Sequence, residues 1–180
     1  MGVSPAQLLA AGIATLRRAL AAGGMVPEVR AERLRSIARR VRDEFGGDLW
    51  GALRRMPAAD AHRLLRSFPG IGTPGADRML LFGERTPVAA VPSNCPHVVT
   101  RIESGRVPAP YTAAYARARQ ALEALPATFE ARRRAYLLLR THGQELCKTT
   151  RPRCGDCPIA ARCRFAMQRT RRRRTGAAAR

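Results

Sequence analysis

Apolar residues recur at three- and four-residue intervals along most of the chain, and this spacing predicts one helix after another. Ser4-Pro5 supplies a cap and a first-turn proline, and Leu8, Leu9, Ile13, Leu16 and Leu20 follow at helical spacing until Gly23-Gly24 stops the run. Pro27 opens the next helix, with Val29, Leu34, Ile37, Val41 and Phe45 on one face, arginines on the other, and Gly46-Gly47 at its end. Asp48 caps a short helix through Met56, and residues 57–67 form another with Leu64 and Leu65 inward. After Phe68-Pro69-Gly70-Ile71-Gly72, Thr73-Pro74 is again a cap and first turn, leading a helix through Phe82. Residues 111–125 and 128–142 are two more. No stretch alternates as a half-buried strand does. The expected fold is all-α.

Charge narrows the class. The 180 residues suffice for one domain or two small ones. They carry 33 Lys+Arg against 13 Asp+Glu, a net charge of +20. The stretch after Gln168 holds six of these charges (Arg169, Arg171, Arg172, Arg173, Arg174 and Arg180) and no acid; without them +14 remains. A field this positive favours a polyanion, most simply nucleic acid. Lys148 is the single lysine, and alanine and arginine abound, as a GC-rich genome would favour. That bias accounts for arginine over lysine but not for the shortage of acids. Residues 169–180 lack apolar side chains to bury and are expected to be a basic tail, disordered in isolation, either an arm on phosphates or simply solvated. The amphipathic start contains Arg17 and Arg18 and has no signal-peptide layout. No apolar run approaches a membrane span, so no membrane partner is expected.

Cys147, Cys154, Cys157 and Cys163 form a C-x6-C-x2-C-x5-C run. Four thiolates this close suit either zinc or an iron–sulfur cluster. Zinc ribbons usually carry two C-x2-C knuckles; here one C-x2-C is flanked by longer arms. Such spacing points to a reducing compartment, not a disulfide scaffold, and the expected location is cytoplasmic, with the nucleoid. Between two short helices, Pro69, Gly70, Ile71 and Gly72 make a tight turn ahead of Thr73. A turn of this kind presents backbone N–H groups at a helix start and can hold a phosphate without reading sequence. An ordinary helix–helix corner uses the same residues.

These features resemble the endonuclease III family of DNA glycosylases. Pro69-Gly70-Ile71-Gly72 matches the family's P-G-hydrophobic-G hairpin, and residues 91–101, VPSNCPHVVTR, align without gaps to its V-D-S-N-V-L-R-V-x-x-R stretch. His142-Gly143 and the four-cysteine loop follow in the family's order. The resemblance implies a [4Fe-4S] cluster on the four cysteines and two helical lobes with double-stranded DNA in the cleft between them. The helix-hairpin-helix lobe would cover residues 1–89 and the iron–sulfur lobe 90–168, with the tail at 169–180. Pro69, Gly70, Ile71, Gly72 and Thr73 would meet the DNA backbone. The cluster would be structural and would set Arg151, Arg153, Arg162 and Arg164 towards phosphates. By the resemblance, residues 2–20 match a point well inside the hairpin lobe, so the family's first helices are expected to have no counterpart in this sequence. The first lobe is therefore expected to leave an apolar surface that a protein partner could cover.

The catalytic positions depart from the family. Base excision needs a carboxylate near C1′ of the sugar, and the family places an Asp just before the S-N pair; here that position is Pro92. Its bifunctional members also use a lysine just after the hairpin to form a Schiff base; here that position is Pro74. Lys148 stands beside Cys147 and does not replace it. Lyase activity is expected to be absent. Asp77 and Glu103 are the nearest carboxylates in sequence that could serve a glycosylase, although Asp77 reads as a solvated or capping residue and Glu103 as a surface one. Cys95 reads as partly buried and inert, with His97 its conceivable partner, and Tyr111 and Tyr115 as a packed pair one turn apart. Three readings stay open: a base-excision-repair protein by descent, a non-catalytic DNA-binding or damage-sensing module, and a monofunctional glycosylase with a relocated carboxylate.

Overall fold

The computed structural model describes residues 3–23 and 26–177, with side chains to Arg171. It is helical, and no strand occurs among the described residues. The helices are α1 (Pro5–Ala10), α2 (Ile13–Ala21), α3 (Pro27–Phe45), α4 (Leu49–Arg55), α5 (Ala58–Arg66), α6 (Thr73–Phe82), α7 (Pro96–Ser104), α8 (Tyr111–Glu123), α9 (Phe129–Glu145) and α10 (Arg164–Ala177), with 3-10 turns at Cys154–Asp156 and Ala160–Arg162. No helix among the described residues is long and apolar enough to cross a membrane.

The chain divides into two compact units, Met1–Ala76 and Asp77–Arg180. The division falls inside α6, not at the expected 89/90. Residues just beyond Ala76 belong to the second unit because they build its core: Leu81 and Ala90 pack on Tyr136, and Asp77 bonds to Tyr115.

In the first unit α1 and α2 pack on α3. The run expected as one helix up to Gly23 is two, interrupted at Ala11 and Gly12, whose backbones are extended. Glycine is a weak helix former, and the two short helices can each turn an apolar face to α3. Ser4 caps α1 through a reciprocal box with Gln7, and Asp48 caps α4 by accepting from Gly51 N at 2.7 Å. Leu53, Leu65 and Phe68 are fully buried, each contributing about 1.5–3 kcal/mol of burial free energy. Arg40 of α3 ties the end of α5 in place: it pairs with Glu44 at 2.9 Å, donates to Ser67 O and Oγ at 3.2 and 2.7 Å, and stacks 4.5 Å over Phe68.

In the second unit α7 packs against α8, α9 and α10. Val91, Val99, Tyr115 and Ala118 form one buried cluster. Buried Arg132 closes the end of α8 by donating to the carbonyls of Leu122, Glu123, Leu125 and Pro126, which satisfies groups that a helix end otherwise leaves to water. The chain expected as a disordered arm from residue 169 continues α10 in helical form through Ala177; residues 178–180 of that arm lie outside the described residues.

Candidate nucleic-acid interface and cysteine loop

The hairpin lies in the first unit, between α5 and α6. Phe68 O accepts from Ile71 N at 3.2 Å, and Gly70 has φ +82. That φ is strained for any residue with a Cβ, although a Cβ there would meet only Arg33, at an ordinary contact distance of 3.4 Å. Pro69, Gly70 and Gly72 are exposed, and Ile71 and Thr73 partly so. Thr73 opens α6 as its first residue, not as the cap before it, and Ala76 N donates to Gly72 O at 2.9 Å. Pro74 sits in this first turn, where its missing N–H costs nothing.

The cysteine loop lies in the second unit. Cys147, Cys154, Cys157 and Cys163 all line one narrow recess of about 20 Å³, walled by apolar side chains that include Ile102, Leu146, Ile159 and Phe165. No group of three or more His, Cys, Asp or Glu among the described residues is arranged to hold a single metal ion. Four thiols lining one recess are a donor set that zinc and iron–sulfur clusters both use. Nitrogen groups surround the sulfurs. Arg101 Nη1 lies 3.5 Å from Cys147 Sγ, Arg169 Nη1 3.9 Å from Cys154 Sγ, and His142 Nε2 3.7 Å from Cys157 Sγ. Burial pushes the Cys147 thiol up, and the Arg101 guanidinium works against that shift.

Arg101 and His97 hold the loop to α7. Arg101 is 6% exposed. It donates to Lys148 O at 2.9 Å and Thr149 O at 2.6 Å, and its guanidinium lies 4.7 Å from the Phe165 ring centre. His97 Nε2 donates to Cys147 O at 2.6 Å. Burial holds His97 below the usual histidine range, so the neutral Nε2–H tautomer makes this bond. His97 thus serves the cysteine loop, and Cys95 is the inert thiol expected. Cys95 is 1% exposed with its pKa raised by burial, and Gly143 of α9 passes so close that a Cβ would stand 2.4 Å from Cys95 Sγ. Arg101 and Arg169 were the residues missed by sequence reasoning. The signal for the first was present: His97 and Arg101 are four apart on one helix and face one loop.

The other candidates separate. Arg151, Arg153, Arg162 and Arg164 are exposed, but Arg153 pairs with Asp156 at 2.9 Å and offers phosphates less charge than its position implied. Glu103 is exposed on α7. Asp77 is not a solvated or capping carboxylate: it is 0% exposed, accepts from Tyr115 Oη at 2.9 Å, and has Arg119 Nε at 3.9 Å. A carboxylate is buried only when it is paired, and here it is. Tyr111 and Tyr115 do stack, with ring centres 6.2 Å apart, and Tyr111 donates to Ser93 O at 3.0 Å. Pro92 is buried and lends its carbonyl to Cys95 N at 2.9 Å. Large apolar side chains exposed in the first unit include Val3, Val26 and Val29; in the second, Leu137 and Leu138 of α9 are exposed.

No protein-family model and no curated protein sequence matches the chain. Solved structures do. A non-covalent endonuclease III–DNA complex superposes with a TM-score of 0.70 at 19% identity, over 93% of this chain and 72% of that one. A trapped covalent endonuclease III–DNA intermediate, an estranged-adenine complex, gives 0.70 at 18% identity, over 93% and 71%. A thermostable thymine-DNA glycosylase gives 0.69 at 20% identity, over 92% and 70%. The chain has an endonuclease III-like fold.

Proposed function

We propose that this protein binds double-stranded DNA as an endonuclease III-like member of base excision repair, carries a structural [4Fe-4S] cluster, and has no lysine-dependent lyase step. The observation that carries the reading is the pairing of a kept scaffold with replaced reactive groups. The hairpin turn and the four-thiol recess are present on a fold that superposes on glycosylases, while Pro74 and Pro92 stand where a nucleophilic amine and a carboxylate are needed. Proline offers neither.

Cys147, Cys154, Cys157 and Cys163 would hold the cluster, whose binding supplies folding free energy to the loop and no reaction step. Arg101 and His97 orient the loop; Arg169 and His142 stand at its sulfurs. Arg151, Arg162 and Arg164 bring positive charge to the same loop for phosphates. Lys148 is an exposed loop residue whose carbonyl is held by Arg101.

Asp77 does not supply a replacement acid, since its carboxylate is sealed against Tyr115 and Arg119. Between binding alone and excision by another acid, its burial favours binding alone. The test is base release and strand cleavage on duplexes carrying oxidised, alkylated or deaminated bases, alongside a binding isotherm. Retained binding without release is expected. Release that disappears in Glu103→Gln would overturn the reading in favour of a relocated carboxylate.

A further inference from the structure

The second unit contains a polar recess beside Pro92, to which the DNA reading assigns no ligand. It measures about 180 Å³ and is lined by Arg78 of α6, Arg140 and Gln144 of α9, and Ser93 and Asn94 of the loop before α7, with Pro92, Cys95 and Tyr136 among its walls. No carboxylate lines it. Both guanidiniums act on the Tyr136 hydroxyl, drawing its pKa down against the upward pull of burial, and Arg140 acts the same way on Cys95. The two positive groups therefore bear on the same buried wall from different helices. Arg119, Arg133 and Arg153 all have acidic partners; Arg78 and Arg140 have none among the described residues. Two unneutralised guanidiniums beside one acid-free space repel each other until an anion enters.

We propose that this recess is a phosphomonoester site, in which Arg78 and Arg140 take a dianionic phosphate and Ser93, Asn94 and Gln144 add neutral hydrogen bonds. Guanidiniums make charge-assisted, directional bonds to phosphate oxygens. A monoester carries about −1.5 to −2 charges at neutral pH, which two arginines balance. A phosphodiester carries one charge and has chain leaving on both sides, so it fills a recess poorly. Resting on the DNA reading above, the ligand is the terminal phosphate of a DNA strand break.

The experiment measures three ligands against wild type, Arg78→Gln and Arg140→Gln. These are inorganic phosphate, a gapped duplex ending in 5′- or 3′-phosphate at the gap, and the same duplex ending in hydroxyl. Both arginines are exposed, so the variants are expected to fold, and competition by inorganic phosphate in wild-type protein gives a readout that needs no variant. Phosphate ends should bind about tenfold tighter than hydroxyl ends, as a charge-assisted bidentate contact implies. Each substitution should erase that preference, and inorganic phosphate should compete only with the phosphate-ended duplex. Equal affinity for both ends, or a preference that survives both substitutions, overturns the strand-end assignment. Saturable phosphate binding that needs both arginines, in a protein that ignores duplex DNA, supports the phosphate site and overturns the DNA reading instead.

Discussion

Arg101→Met removes the guanidinium that fixes the cysteine loop and keeps much of the side chain's volume. Two charge-assisted bonds are lost, to Lys148 O and Thr149 O at 2.9 and 2.6 Å, together with the contact on Cys147 Sγ. Hydrogen bonds to charged groups are worth about 1.5–3 kcal/mol each. The low end applies here because both bonds are part-buried, not fully removed from water. Two such bonds give about 3 kcal/mol. For a chain of 180 residues this is a fall in Tm of roughly 6–12 °C, at about 2–4 °C per kcal/mol. Thermal unfolding by circular dichroism, with visible absorbance of the cluster followed in parallel, measures both the fold and the loop. The cluster signal should be lost before the helical signal, because the loop loses its anchor first. Arg101→Lys, which restores one donor direction without the fork, should recover about half of the loss. A Tm within 2 °C of wild type for Arg101→Met, with the cluster retained, would refute the claim that this arginine organises the loop.

Gly143→Ala should destabilise by about 1–3 kcal/mol, the range for overpacking, and adding Cys95→Ala should recover most of it in chemical unfolding, since the clash is with Cys95 Sγ. Cys154→Ser or Cys157→Ser should cost iron, sulfide, colour and soluble yield together; a folded, colourless, zinc-loaded product would contradict the iron–sulfur reading. Iodoacetamide followed by mass spectrometry should leave Cys95 unmodified in the native protein even after the cluster is removed, because its thiol is buried and its pKa raised. The same shift means that unfolded chains lose this proton first as pH rises past the ordinary value of 9.0, so stability should fall from there upward in Cys95 protein and fall less in Cys95→Ala. Asp77→Ala strands the buried Tyr115 hydroxyl and should cost about 1–3 kcal/mol, measured by urea unfolding; a stable Asp77→Asn protein that loses a base-release activity present in wild type would instead make Asp77 catalytic.

The helices were legible where spacing and caps agreed. Ser4, Asp48 and Thr128 each cap the helix that follows them, and α3 and α9 sit close to where their apolar periods lie. The break at Ala11-Gly12 was not legible, because the apolar spacing runs on through it and only packing on α3 separates the two pieces. Helix α7 was hidden for a different reason: it has only nine residues, too few for its apolar positions to repeat over several turns. The cysteine ligands announced themselves by spacing, and the hairpin by its glycines. Asp77 did not, since an acid beside Arg78 near the start of a helix reads as surface and its partners Tyr115 and Arg119 lie 38 or more residues away. Arg169 was assigned to a tail by composition, yet it reaches Cys154 because α10 continues through the residues that looked unable to order.

The central claim is a DNA-docking scaffold without the family's lysine chemistry. A duplex containing one abasic site, incubated with the protein and resolved with and without sodium borohydride, tests it most directly. A salt-sensitive complex that leaves no covalent adduct after borohydride is the expected result; a trapped protein–DNA adduct, or the absence of any complex at low salt, would contradict it.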